Sequence, residues 1–258
     1  MALVVGLAAC GNTSTAGPLG TPQAIISSAP DITLGAVTAK ILITSPNAQA
    51  NGVIDLGVHS GQLSVAATDS TTGAAPATVL IVNGTAYIKA SPNAAYMAMP
   101  GPLPLASLTF SNQTLSLINK VNSQDGSDQV LPNADPWADI DLLPGTVHIL
   151  SDGGAEVDGA STISYTLTIN PEQAIQAAPA GRQAALRALL GGRTKDFMIG
   201  VWIDSQFRIR RIEVSANFVA PDFKTESPPT RDDGETIGSD VDFVSFGVAV
   251  PPVTVPQT

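Results

Sequence analysis

Few residues of this chain are suited to chemistry, and one of them stands apart. Cys10 is the single cysteine among 258 residues, and it directly follows Leu7-Ala8-Ala9. A short apolar run from Leu3 precedes these residues. An apolar residue, two small residues and a cysteine form the pattern of a bacterial lipobox. A signal peptidase needs small side chains beside the bond it cuts, and the thiol can carry a thioether-linked diacylglycerol. An isolated cysteine is often only a small buried hydrophobe. Here the apolar run, the small residues and the cleavage-like site coincide, and that coincidence favours lipidation at Cys10.

The other candidates do not assemble into a site. Gly57 to Gly61 reads GVHSG, with the serine one place too late for the nucleophile elbow G-x-S-x-G. His59 and His148 are the only histidines, and each falls on a strand-like segment. An outward polar position explains them better than catalysis, and neither has the company a zinc site needs. Asp135, Asp139 and Asp141 lack the spaced oxygen ligands and the glycine of a calcium loop. They read as a solvated acidic loop, as do Asp232, Asp233 and Glu235. No glycine-rich phosphate loop opens a helix. The expectation is a non-enzyme with no catalytic residue, no metal and no cofactor.

Bulk properties narrow the partners. Hydrophobic residues make up 44% and charged residues 13%, enough apolar content for a real core. The net charge is −10, which opposes nucleic-acid binding and attraction to anionic lipid. A membrane link must therefore come from acylation. No later stretch approaches the roughly 18 consecutive apolar residues of a spanning helix. A single cysteine excludes an intrachain disulfide.

The elements that would position a site are mostly strands. Residues 1–9 read as the remainder of a signal peptide, although no Lys or Arg occurs before Lys40. Residues 10–30 read as the lipidated cysteine and a flexible tether, with a short helix over Pro22–Ser28 that Pro30 ends. Residues 31–250 form a single domain, and 251–258 a Pro-rich tail. Strands are expected from Ala36, then a pair meeting about Ser60-Gly61, in which Ile54, Leu56 and Val58 alternate with polar residues or glycine. Asn83-Gly84 lies between two strand-like runs and suits a type I′ hairpin turn. A helix is expected from Ser111, with Leu115, Ile118 and Val121 on one face, then an acidic loop over Gly126–Asp141. Strands return over Gly145–Asn170, where Ile163, Tyr165, Leu167 and Ile169 alternate with Thr162, Ser164, Thr166 and Thr168. Asn170-Pro171 gives a cap and first turn for a helix, and Arg182–Leu190 carries an apolar stripe stopped by Gly191-Gly192. A hairpin about Asp204-Ser205 and a last strand from Asp240 complete the chain. Short turns between strands imply antiparallel pairing. The fold class is α+β, one large curved antiparallel sheet with a few helices on one face.

Several of these segments resemble actinobacterial envelope lipoproteins of the LppX/LprG type, which are LolA-like. DGASTISYTLTIN at Asp158, GVWIDSQFRIRRIEV at Gly200 and VLIVNGTAYIKAS at Val79 are similar to strand motifs of that family, and Cys10 fits its lipobox. The resemblance covers about Ala36 to Asn217. Two departures stand out: Pro30 shortens the family's long first helix, and a strand and loop from Pro221 extend past its usual end. The resemblance implies a half-barrel wrapped around helices, with an apolar cavity on its concave face that takes acyl chains of envelope lipids or lipoglycans. The protein would be a monomer anchored to the outer face of the cell membrane.

On that reading the inward residues are Ile41, Ile43, Ile54, Leu56, Leu63, Val65, Leu80, Val82, Ile163, Tyr165, Leu167, Ile199, Val201 and Ile203. Leu186, Leu189 and Leu190 join them from the helix. A lipid carrier is the leading function. An anchored interaction or sensor domain with a filled core is the alternative, and a hydrolase ranks third for want of a nucleophile–base pair. Cys10→Ala, made behind a full-length signal peptide, should move the protein from the membrane to the soluble fraction or leave it unprocessed. Equal membrane retention of both forms would refute lipidation.

Overall fold

The computed structural model describes residues 20–45, 48–67, 76–90, 92–99, 108–111, 114–117, 136–190, 195–219 and 238–256. The chain opens with helix α1 (Pro22–Leu34), and six strands follow: β1 (Thr38–Thr44), β2 (Ala48–Asp55), β3 (Ser60–Ala67), β4 (Ala77–Val82), β5 (Thr85–Lys89) and β6 (Met97–Met99). A small hairpin, β7 (Leu108–Ser111) and β8 (Thr114–Leu117), precedes helix α2 (Pro136–Leu142). Next come β9 (Thr146–Val157), β10 (Ala160–Ile169), α3 (Pro171–Ala177) and α4 (Gln183–Leu189). The last elements are β11 (Phe197–Asp204), β12 (Ile209–Val219) and β13 (Gly238–Phe246).

Eleven strands form one sheet in the order β6-β5-β4-β3-β2-β1-β13-β12-β11-β10-β9, and every neighbouring pair is antiparallel. The expected α+β class is therefore observed. One face of the sheet holds the helices. Helix α1 touches both β9 and β12, which are separated by two strands, and α2 reaches from β12 to the end of β2. The inner face therefore curls around the helical layer.

Turn chemistry sets the hairpins. Asn83-Gly84 (φ 50° and 77°) and Asp158-Gly159 (φ 48° and 76°) adopt the paired positive φ of type I′ turns. At the β11–β12 turn, the Asp204 side chain accepts from the backbone N–H groups of Gln206 and Arg208. At the β2–β3 turn, Asp55 accepts from those of Gly57 and Val58. This second turn differs from expectation. β2 ends at Asp55 and the turn is Leu56–His59, while Ser60 and Gly61 belong to β3. Val58 is exposed in that turn, because the Asp55 carboxylate draws the chain round before the apolar alternation ends.

Three other expectations fail for identifiable reasons. Helix α1 does not stop at Pro30 but carries it in its interior and runs on to Leu34. A proline in a helix forfeits one backbone bond and crowds the preceding turn. Burial of Ile25, Ile26, Ala29 and Thr33 offsets that cost. The segment after Ser111 pairs as the β7–β8 hairpin, with Phe110 opposite Leu115 and Leu108 opposite Leu117. Its apolar residues recur at every second position, which outweighs the weaker helical spacing; Ile118 and Val121 lie outside the described residues. The end of the expected acidic loop is helix α2, with Pro136 as its first residue and Trp137 fully buried. Cys10, Asp135, Gly191-Gly192 and the acidic group at Asp232 also lie outside the described residues.

The register of β13 joins the chain's two halves. It pairs with β1 on one side, Ile43 opposite Val241, and with β12 on the other, Ile212 opposite Val241. Arg211 and Asp242 bridge β12 and β13 through two contacts of 2.5 and 2.8 Å. Helix α1 is tied to the same region: Thr33 Oγ1 accepts from the backbone N–H of Ile209 at 2.9 Å, and Thr33 is fully buried. Thr33→Val keeps the shape but leaves that N–H without its acceptor. It should lower unfolding stability by about 1–3 kcal/mol, read from urea titration. Thr33→Ser should recover most of the loss.

Candidate functional site: an apolar recess under the first helix

Most of the residues expected to line a cavity instead fill a core. Eleven of them (Ile41, Ile43, Ile54, Leu56, Leu63, Val65, Leu167, Leu186, Leu190, Ile199 and Val201) are 0–2% exposed and belong to one continuous cluster. Leu80 and Val82 sit on the outer face, because Ala77, Val79 and Ile81 are the buried residues of β4. Leu80 stands opposite the exposed Gln62, which fixes its side of the sheet. The error is a one-residue slip, which exchanges the faces of a strand. Val79 to Val82 are all apolar, so alternation along β4 carried no information. The Leu189 side chain lies outside the described residues.

Three expected residues do border open space. Ile163 and Tyr165 of β10 and Ile203 of β11 line a recess of about 230 Å³ with Ile25 of α1 and Phe207 of the β11–β12 turn. Ser161, Thr162, Asp204 and Ser205 supply its polar groups. Ile163 is only partly buried, whereas Tyr165 and Ile203 are 3% exposed. Burial pushes the Tyr165 phenol above its usual range. The recess lies between sheet and helix, at the sheet end where the β9–β10 and β11–β12 hairpins turn. Ile25 and Phe207 were missed from sequence. Ile25 fell in a segment read as tether and short helix, and Phe207 sits in a turn at φ 61°, where no alternation points inward.

Next to the recess is a compact charged cluster. Asp204 Oδ2 accepts from Arg208 Nε at 3.0 Å and Nη2 at 2.8 Å, and from Arg210 Nε at 2.9 Å. Burial alone would raise this carboxyl, but the hydrogen bonds from Arg208, Arg210 and the Gln206 N–H hold it below the usual carboxylate range. Both guanidinium groups also rest on the Phe246 ring, 4.6 and 5.0 Å from its centroid. The cluster fastens the β11–β12 turn to the end of β13.

The groups first weighed as catalysts or metal ligands are spread through the fold. His59 occupies the β2–β3 turn and packs edge-on against Trp137 at 5.3 Å, not on a strand as expected. His148 lies exposed on β9, as an outward polar residue would. Asp139 is buried in α2, and Asp141 pairs with Arg182 at 2.6 Å, so this part of the expected solvated loop is neither loop nor fully solvated. Among the described residues no three His, Cys, Asp or Glu side chains gather where a metal could be held, and no helix is long and apolar enough to cross a membrane.

These features define an open antiparallel sheet curled around helices, with an apolar recess under the first helix. No protein-family model and no curated protein matches the chain. Among solved structures, it is similar to LprF from Mycobacterium bovis (15% identity, 91% of this chain and 95% of that one, TM-score 0.47). It is also similar to the lipoprotein LppX of Mycobacterium tuberculosis (12% identity, 86% and 93%, TM-score 0.45). A LolA superfamily protein from Nitrosomonas europaea aligns at 12% identity over 89% and 94%, with a TM-score of 0.28. The likeness is structural and at low sequence identity.

On the outer face, Glu213 of β12 stands directly opposite Asp240 of β13. Burial and then the Glu213 charge push the Asp240 carboxyl up to about 6. A carboxyl raised above its unfolded value, about 3.9, contributes stability that is complete below that value and lost as pH rises through about 6. Asp240→Asn should therefore melt progressively higher than wild type as pH goes from 4.5 to 7.5. An unchanging gap across that range would contradict the assignment.

Proposed function

We propose that this chain is a membrane-anchored envelope lipoprotein that binds acyl chains of lipids or lipoglycans. The observation that carries the reading is the recess between α1 and the β10–β11 strands, lined by Ile25, Ile163, Tyr165, Ile203 and Phe207. Its lining is mainly apolar, and its polar groups sit beside the hairpin turns. An acyl chain would bind there by leaving water, at about 0.8 kcal/mol per CH₂ group, so about six groups supply roughly 5 kcal/mol before ordering costs. Affinity should then track chain length more than head group. Lipidation of Cys10 would hold the protein at the outer face of the membrane, next to its ligands. The protein acts as carrier or chaperone and performs no chemistry on the lipid.

A second reading has its own support. The recess, about 230 Å³, falls below the roughly 300–1,000 Å³ of ordinary ligand pockets. Eleven residues expected to face a ligand are packed instead. An anchored interaction or sensor domain with a filled core would look like this.

One pair of substitutions separates the two. Ile163→Trp puts a large ring into the recess, whereas Val201→Trp puts one into the fully buried core. The carrier reading expects lipid in native mass spectra of the full chain carrying Cys10→Ala. It expects that lipid to be lost in Ile163→Trp with little change in melting. Val201→Trp should be destabilised by overpacking, about 1–3 kcal/mol or more. If the parent chain carries no lipid and Ile163→Trp melts as early as Val201→Trp, the filled core is correct.

A further inference from the structure

Helix α1 carries a weak point in its middle. Pro30 has no N–H to give the Ile26 carbonyl, and its ring crowds that carbonyl. Just before it, the Ser28 hydroxyl donates to the Ile25 carbonyl at 3.1 Å, a bond that also bends helices. Both features fall within Ser28–Pro30, and sharp helix bends have causes of this kind. The weak point lies where the helix crosses the sheet, since α1 reaches from β12 to β9 over the strands between them.

The two halves of the helix are held differently. After Pro30, the buried Thr33 hydroxyl accepts from the Ile209 N–H at 2.9 Å. Where the helix passes into β1, the Val37 carbonyl accepts from the Leu56 N–H at 2.6 Å. Before Pro30 the grip is apolar only. Among the described residues, every hydrogen bond of Thr21 to Ala29 stays within the helix. Gly20 to Ala24 are exposed, and Ile25, Ile26 and Ala29 are the buried residues of this half. The acyl recess lies against it: Ile25 is the α1 residue in the lining. Ile26, the next residue, is packed into the continuous core.

We infer that the half of α1 before Pro30 is a hinged lid, which swings about Ser28–Pro30 when an acyl chain longer than the recess enters. The first part of the chain fills the recess, and its further CH₂ groups take the places that Ile25 and Ile26 vacate. Only apolar contact holds the lid, so an apolar chain replaces that contact in kind and no hydrogen bond to the body has to break. The half after Pro30 stays seated on Thr33. The open form is a minor state that a ligand of sufficient length makes dominant. This inference rests on the acyl-binding reading of the recess and adds the ligand class, chains longer than the resting recess of about 230 Å³ can hold.

The test titrates the full chain carrying Cys10→Ala with octyl and dodecyl maltoside, each below its micelle concentration, and follows the isoleucine methyl resonances. Ile163 reports the recess, Ile26 the lid, and the fully buried Ile212 of β12 is the control. Octyl maltoside should shift Ile163 and leave Ile26 unmoved. Dodecyl maltoside should shift both, leave Ile212 unmoved, and bind at least about tenfold tighter, because its further CH₂ groups leave water. Pro30→Ala restores the missing N–H and stiffens the helix, so it should melt higher than its parent. It should keep the octyl affinity and lose most of the dodecyl gain. Ser28→Ala removes the other bend and should act in the same direction, so the result does not hang on one variant; melting curves establish that both are folded. Dodecyl binding no tighter than octyl, an unmoved Ile26, or a full gain retained in both variants would overturn the lid while octyl binding still supports the recess. If neither maltoside shifts Ile163, the acyl-binding reading falls and the lid falls with it.

Discussion

The seating of β13 between β1 and β12 is the constraint on which the fold rests. Without it, β1–β6 and β9–β12 would be separate sheets, each with an open edge at what is now the middle. An open edge exposes unpaired N–H and C=O groups and invites wrong partners. Pairing β13 on both sides satisfies those groups and aligns Ile43, Val241 and Ile212 across three strands. Because the first and last strands must meet, the sheet is complete only when almost the whole chain is in place. Such long-range pairing bears a high loop-closure cost and slows folding.

Closure also determines what the inner face can do. Once the sheet curls, α1 lies across β9 to β12 and its buried stripe meets a surface contributed from distant parts of the chain. Most of that surface is filled. The gap that remains sits at one end, under Ile25, where Phe207 and the hairpin turns replace close-packed strand residues. The neighbouring Asp204–Arg208–Arg210–Phe246 cluster fastens this end. A recess can persist in a close-packed protein only where its rim is held by something other than the missing packing.

The two faces of the sheet obey different rules. Inward positions are almost uniformly apolar, and small errors there cost packing. Outward positions carry the charges, and their effect depends on which residue is opposite. Arg211 with Asp242 is an ordinary cross-strand ion pair, while Glu213 with Asp240 is the reverse. Neither pairing is visible until the register is known.

Much of this fold was legible in the amino-acid sequence because its signals are local. Asn83-Gly84 requires positive φ twice, Asn170-Pro171 starts a helix, and alternation in Tyr165 to Ile169 marks a strand, all within a few residues. Even the antiparallel α+β class follows from short turns. The failures came where local signals were weak or outvoted. Pro30 reads as a stop, yet burial of the helix face carries α1 through it. Val79 to Val82 is apolar throughout, so only β3 beside it decides which side chains point inward. Trp137 looked like part of an acidic loop until its indole found the Leu56 carbonyl at 3.1 Å, across 81 residues. Sequence alone determined most strands of the large sheet, most of its turns, and the Cys10 motif. Which apolar residues fill the core, which border the recess, and which charges meet on the outer face were decided only by tertiary structure. The physical reason is that packing and like-charge contact depend on distances between residues far apart in the chain, and those distances exist only once the sheet has closed.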